Sequence, residues 1–280
     1  MKAAKVKQIC RQAFDQLVME VERGESSQLK RYLNFMAKFH RYSFRNMLLI
    51  LSQMPRASKV AGFCTWKRLG RKIRKNEKGI AIFVPLVHLK KTVDQLMQAD
   101  EEESELEAVQ GYRVGHVFDI SQLADCDKPL PEFSRVEGDP GLYLERLRDY
   151  VASKGIKLTF MHLYGTTQGY SAGGRIVLKS GLSQAQQMSV LLHEVAHELL
   201  HRNQDAKKLE RKIVEAEAEA VSYVVCSGIG LDLNTAHRDY LHLYDGDKKT
   251  LMQSLQRIQR TAAGILQAIT ETSTVESKAM

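Results

Sequence analysis

Apolar residues recur every three or four positions over the first fifty residues: Phe14, Leu17, Val18 and Val21, then Leu33, Phe35, Met36 and Phe39, then Leu48, Leu49 and Leu51. That spacing lines one face of a helix, so the chain opens as helices, with a break at Gly24-Glu25-Ser26-Ser27. After Pro55 the segments shorten and favour β residues. Val60-Ala-Gly-Phe-Cys-Thr-Trp66 and Gly79-Ile-Ala-Ile-Phe-Val84, stopped by Pro85, predict strands, and 112–118 predicts the second strand of a hairpin. Farther on, 143–153 predicts a helix, 157–160 and 175–178 strands, and 183–202, 206–227 and 247–270 three long helices.

Polar positions set the boundaries. The acidic stretch at about 97–109 is too poor in apolar residues to pack and reads as a solvated insertion in the hairpin. Three of the five prolines fall within 127–141 together with two glycines, which places a domain break there. The expectation is an α+β chain of two domains, 1–131 and 142–270, followed by a polar tail, 271–280. Hydrophobic residues at 44% and charged residues at 26% suit such packed domains.

Without a signal-like N-terminus or an apolar run long enough for a bilayer, the reading is a cytoplasmic protein with no membrane partner. Cys10, Cys64, Cys126 and Cys226 show no paired spacing, which argues against a disulfide framework or a thiolate zinc site.

The sharpest chemical signal is His193-Glu194-Val195-Ala196-His197. Helical side chains four apart share a face, so both imidazoles can turn a nitrogen to one ion. Glu194 then lies beside the first ligand, placed to take a proton from a zinc-activated water and return it to a leaving amine. Ser183 and Gln186 supply a capping box upstream, which sets the motif in mid-helix.

Catalytic zinc needs a third ligand and one open position. Val214-Glu-Ala-Glu-Ala-Glu-Ala-Val-Ser-Tyr-Val-Val-Cys226 is the source. Glu215 and Glu219 share a stripe, with Glu215 as ligand and Glu219 supporting a histidine, although Glu217 or Glu219 as ligand stays open. His201 continues the histidine stripe and reads as a non-ligand. The strand 175–178 is expected to hold the peptide by edge addition, and Tyr170, Tyr223, His237 and Arg238 are candidates for stabilising the oxyanion.

Charge adds a second theme. The net charge is +8, and Lys67, Arg68, Arg71, Lys72, Arg74, Lys75 and Lys78 crowd together with Glu77 as the only acid among them. Cations beside Trp66, Phe63, Tyr42 and Phe44 form the pattern of a single-strand binder, in which bases stack on aromatic faces and phosphates meet the positive groove; the alternative for Trp66 and Phe63 is a place in the core of a sheet.

Both themes meet in a family resemblance. Leu192-His-Glu-Val-Ala-His-Glu-Leu-Leu-His201, with the Glu215 segment, resembles the ImmA/IrrE-type zinc peptidases and the peptidase half of ArdC antirestriction proteins. Tyr42-Ser-Phe-Arg-Asn-Met-Leu-Leu-Ile-Leu-Ser-Gln-Met-Pro55, the 60–80 segment and Val117-Phe-Asp-Ile-Ser-Gln122 look like the ArdC N-terminal domain.

The resemblance implies a single-stranded-DNA-binding module fused to a zincin-like metallopeptidase, of the antirestriction type carried on mobile elements, with Glu215 matching the family's glutamate ligand. It leaves the protein substrate unnamed. Asn76 stands where the family has Gly, and Asn tolerates the left-handed conformation such a turn needs. Asn234-Thr-Ala-His-Arg-Asp-Tyr240 departs from the usual Thr-x-x-Tyr-Ser arrangement. The alternative function is a protector of incoming single-stranded DNA whose zinc site is structural or not needed for protection.

Overall fold

The N-terminal apolar stripes fold as three helices, α1 (Ala3–Glu22), α2 (Ser26–Lys38) and α3 (Phe44–Gln53), in the computed structural model of the chain. The structure describes residues 1–24, 26–87, 109–126, 140–202, 209–231, 243–244 and 247–270. The expected acidic insertion up to 108, the proline-rich break up to 139, His237, Arg238 and the tail lie outside the described residues. By packing, the chain forms two units, Met1–Phe14 with Leu48–Lys128 and Asp15–Met47 with Pro129–Met280.

In the first unit, β1 (Val60–Gly62), β2 (Ile80–Val87) and β3 (Val109–Asp119) form an antiparallel sheet in the order β1-β3-β2. Two strand expectations are corrected. The segment from Val60 to Trp66 is strand only to Gly62, after which α4 (Phe63–Arg68) begins; helix formation buries Trp66 and lets its indole N–H donate to the Phe118 carbonyl at 2.9 Å. Strand β2 runs past Pro85, which pairs with Tyr112; on an edge strand, a residue lacking an N–H can be accommodated.

Val6, Leu49 and Ala81 centre a small core in this unit. Buried Asp119 ties its loops together, accepting from the backbone N–H groups of Ser58, Lys59 and Ser121 at 2.7, 3.0 and 3.0 Å. Asn76 has φ 68° and is the one non-glycine residue with positive φ among the described residues, as its turn position requires.

The second unit contains α5 (Gly141–Ser153), β4 (Lys157–Met161), β5 (Gly169–Ser171), β6 (Arg175–Lys179), α6 (Gln184–Leu200), α7 (Arg211–Gly228) and α8 (Lys248–Thr270). Strand β6 is the middle of its sheet, parallel to β4 and antiparallel to β5. Its residues Ile176, Val177 and Leu178 are fully buried, the pattern of a strand covered on both faces.

Helix α6 packs on this sheet and on α7 through Leu191, Leu192, Val195 and Ala196, all buried. Helix α2 joins the unit against α7, where the Tyr223 hydroxyl donates to Asn34 Oδ1 at 2.6 Å. Among the described residues no helix is long and apolar enough to cross a membrane, and no disulfide joins the four cysteines.

Candidate metal centre and basic surface

Helix α6 starts at a capping box: the Ser183 hydroxyl accepts from the Gln186 N–H at 3.3 Å, and Gln186 Oε1 accepts from the Ser183 N–H at 3.0 Å. The start fixed this way, and the apolar packing beyond it, aim His193 and His197 away from the core into a cleft of about 750 Å³. Helix α7 crosses the open side and brings Glu215 to both rings. His193 Nε2 and His197 Nε2 lie 3.1 Å apart, and Glu215 Oε2 lies 3.5 and 3.6 Å from them respectively.

The donor spacing decides whether these residues fit an ion. Three tetrahedral donors, each about 2.0–2.1 Å from a metal, stand roughly 3.3–3.4 Å apart. Separations of 3.1 to 3.6 Å therefore match one small divalent cation held by His193, His197 and Glu215. Burial and the positive partner charge of His193 push the His197 ring down to about 4, so it is neutral at pH 7, the form that can ligate.

Glu219, one turn beyond Glu215, places Oε2 3.5 Å from His193 Nδ1, on the side of that ring facing away from the cluster. Glu217 points elsewhere: fully buried, it meets His201 Nε2 at 3.0 Å and forms an ion pair with Arg257. His201 lies outside the ligand cluster, its Nδ1 being 3.2 Å from His197 Nδ1.

Glu194 is 8% exposed, and burial raises its proton affinity above the ordinary carboxylate range. The charges of Glu215 and Glu198 act in the same direction, whereas His193 and the Ser171 N–H oppose them. A carboxylate tuned upward in this way is a better proton acceptor.

Strand β5 forms the cleft's wall. Glu198, also buried, accepts from Ser171 Oγ at 2.6 Å and from the Gly174 N–H at 2.7 Å, tying the β5–β6 hairpin to α6. A Cβ on Gly169 would stand 2.7 Å from Val190 Cγ1, so only glycine allows this approach of strand to helix. Gly173 and Gly174, with φ 67° and 88°, make the tight two-residue turn that returns the chain into β6.

This topology corrects the expected peptide-holding strand. Both edges of β6 are paired already, so an added strand can join only β4 or β5, and β5 is the edge that lines the cleft. Tyr170 lines the cleft and is 41% exposed, whereas Tyr223 does not: it turns to Asn34, with Lys30 over its ring. Arg202 and Arg211 reach the cleft and carried no recognisable motif.

In the other unit, Lys67, Arg68, Lys72, Lys75 and Lys78 are exposed cations. Arg71 is buried and pairs with Asp125 at 3.2 Å, and Arg74 pairs with Glu77 at 2.8 Å and donates to the Ser121 carbonyl at 2.6 Å. Both arginines therefore brace loops.

Trp66, expected to stack on bases, is 2% exposed with its indole in the core, which corrects that expectation. Phe44 is buried as well and Tyr42 is half-buried, whereas Phe63 is 58% exposed. Tyr112, 60% exposed on β3, supplies an aromatic face that the sequence reading missed; its alternation along the strand was the available signal.

Comparison with known proteins agrees with this layout. Residues 6–118 match the family described as the N-terminal domain of anti-restriction factor ArdC, and residues 152–228 match the IrrE N-terminal-like domain of peptidase family M78. An uncharacterized protein of Bacillus anthracis is 27% identical over 304 residues, covering 94% of this chain and 52% of its own length. The chain thus spans about half the length of that curated relative.

The crystal structure of the antirestriction ArdC protein from the R388 plasmid, metal-free, is similar at TM-score 0.52 and 18% identity, over 94% of this chain and 97% of that one. Its Mn(II)-bound form is similar at TM-score 0.51, also 18% identical, over 95% and 99% of the two chains. At that identity the likeness speaks to the fold.

Proposed function

From an ArdC-like chain that joins an ArdC-type N-terminal domain to an IrrE-like domain, we propose a zinc-dependent metallopeptidase with a single-stranded-DNA-binding domain, acting in antirestriction. The observation that carries the peptidase reading is the meeting of His193, His197 and Glu215 at 3.1 to 3.6 Å, with buried Glu194 beside the first ligand. The R388 protein's Mn(II)-bound form supports a divalent cation in this fold, and the N,N,O donor set with tetrahedral spacing favours zinc.

When bound, zinc supplies Lewis acidity, polarising a carbonyl and lowering the pKa of water. The chain's own residues do the rest. Glu194 accepts the proton of the attacking water and passes it to the departing amine nitrogen. The edge of β5 left unpaired among the described residues would hold an extended peptide through its backbone, and Tyr170, which lines the cleft, is the candidate donor to the carbonyl oxygen. Cleavage of an unstructured polypeptide, lost on chelation and restored by zinc, is the expected result; metal-loaded protein no faster than the chelated form would contradict it.

The exposed cations and the aromatic faces of Phe63 and Tyr112 support the nucleic-acid reading. If Lys67, Arg68, Lys72, Lys75 and Lys78 each meet a phosphate, affinity for a single-stranded oligonucleotide falls with log salt at a slope of about −3.5, roughly a hundredfold between 50 and 200 mM. Changing Lys67, Arg68 and Lys72 to Gln should flatten that slope by about 2 with metal content unchanged. A slope near zero in the unaltered chain would remove this part of the proposal.

The second reading, protection of incoming single-stranded DNA without peptidase chemistry, draws on the same cation cluster. It parts from the first in the behaviour of a Glu194→Gln variant, which should keep antirestriction if protection needs no peptidase chemistry.

A further inference from the structure

The two histidines of the candidate centre are backed by carboxylates through different routes. His193 turns Nδ1 directly toward Glu219 at 3.5 Å. Behind His197 a second imidazole intervenes: His197 Nδ1 to His201 Nδ1 is 3.2 Å, and His201 Nε2 to Glu217 Oε2 is 3.0 Å. Glu217 is fully buried on α7 and accepts from Arg257 of α8 through both of its oxygens; Arg257 donates in addition to Ser254 Oγ at 3.1 Å.

Hydrogen-bond chemistry orders the protons along this chain. A carboxylate only accepts, so the proton between Glu217 and His201 sits on His201 Nε2. Contact between the two Nδ1 atoms needs one proton, and a His197 that offers Nε2 to the metal carries it on Nδ1, donating to His201 Nδ1. His197 Nε2 is left with a lone pair, and it is this atom that faces His193 Nε2 at 3.1 Å and Glu215 Oε2 at 3.6 Å.

We propose that Glu217, acting through His201, fixes His197 in the tautomer that can hold the metal, making both of them positioning residues of the centre. The inference rests on the reading of His193, His197 and Glu215 as metal ligands. It also accounts for His201 standing outside the ligand set, since both of its ring nitrogens are engaged. A buried Glu217–Arg257 ion pair serving the fold alone would have no need of the histidine between it and the cleft.

The test uses the full chain labelled with ¹⁵N-histidine. Long-range ¹H–¹⁵N spectra of the metal-free protein report which nitrogen of His197 carries the proton, and competition with a chromophoric chelator gives the zinc affinity. His201→Leu removes the acceptor, and Glu217→Gln offers an N–H where the carboxylate accepted. His201→Gln presents one acceptor and one donor across a similar span.

We expect His201→Leu and Glu217→Gln to move His197 toward the Nε2–H form and to weaken zinc by about 10–100-fold, with His201→Gln within about threefold of the unaltered chain. Rescue by Gln separates positioning from mere support of the fold. The proposal is overturned if His197 carries its proton on Nε2 in the unaltered chain, or if neither substitution changes tautomer or affinity. An unaltered chain that shows the Nδ1–H form but retains no zinc overturns the metal reading beneath it, so the two failures are distinguishable.

Discussion

Replacing Glu194 by Gln should lower peptide hydrolysis by about 10²–10⁴-fold while leaving metal content unchanged, if the carboxylate carries the proton and does not ligate the metal. The amide keeps the shape of the side chain and can still meet the Ser171 N–H through its oxygen, so the β5 wall of the cleft stays in place. What disappears is the basic group whose burial favours proton uptake. Turnover of a polypeptide, measured beside zinc content, checks this result. The same variant divides the two functional readings: loss of antirestriction with metal retained would tie the biology to peptidase chemistry, and full antirestriction would assign it to the ArdC-type N-terminal domain.

Removal of the Glu215 carboxylate should have the second large effect. Glu215→Ala leaves two histidines at 3.1 Å with no anionic ligand, and the chain should lose its stoichiometric zinc on dialysis. Glu219→Gln should weaken zinc by only about 10–100-fold, the cost typical of a group that orients a ligand without touching the ion. Zinc content after dialysis, with affinity from competition, ranks the three glutamates of α7; the largest loss is expected at Glu215, and smaller ones at Glu219 behind His193 and Glu217 behind His201.

Much of the site could be read from spacing because it lies on long helices. The capping box at Ser183 and Gln186 marked the start of α6, and four-residue steps put His193 with His197 and Glu215 with Glu219. Helical phase also set Glu217 apart from Glu215. It could not say which helix Glu217 would face, and so the links to His201 and Arg257 emerged only from tertiary packing. Tyr223 failed as a cleft residue for the same reason, its partner being Asn34 on α2, 189 positions away.

Short elements were harder to read. Strand β5 has three residues, too few for a period, although the Gly173-Gly174 turn beside it was a hairpin signal that could have been used. Phe63 to Trp66 has strand composition, yet Gly62 starts a helix there and the sheet takes Trp66 as a core residue, so local preference yielded to burial. Among the cations, sequence crowding could not separate exposed Lys67 and Lys72 from Arg71, which pairs with Asp125, 54 positions on.

One ion at one place lies at the centre of the proposed chemistry, and anomalous diffraction at the zinc edge from zinc-soaked crystals tests it most directly. A single peak about 2.0–2.1 Å from His193 Nε2, His197 Nε2 and a Glu215 oxygen, absent in Glu215→Ala, is the predicted result. A peak held by other residues, or none at a zinc concentration that saturates binding in solution, would contradict it.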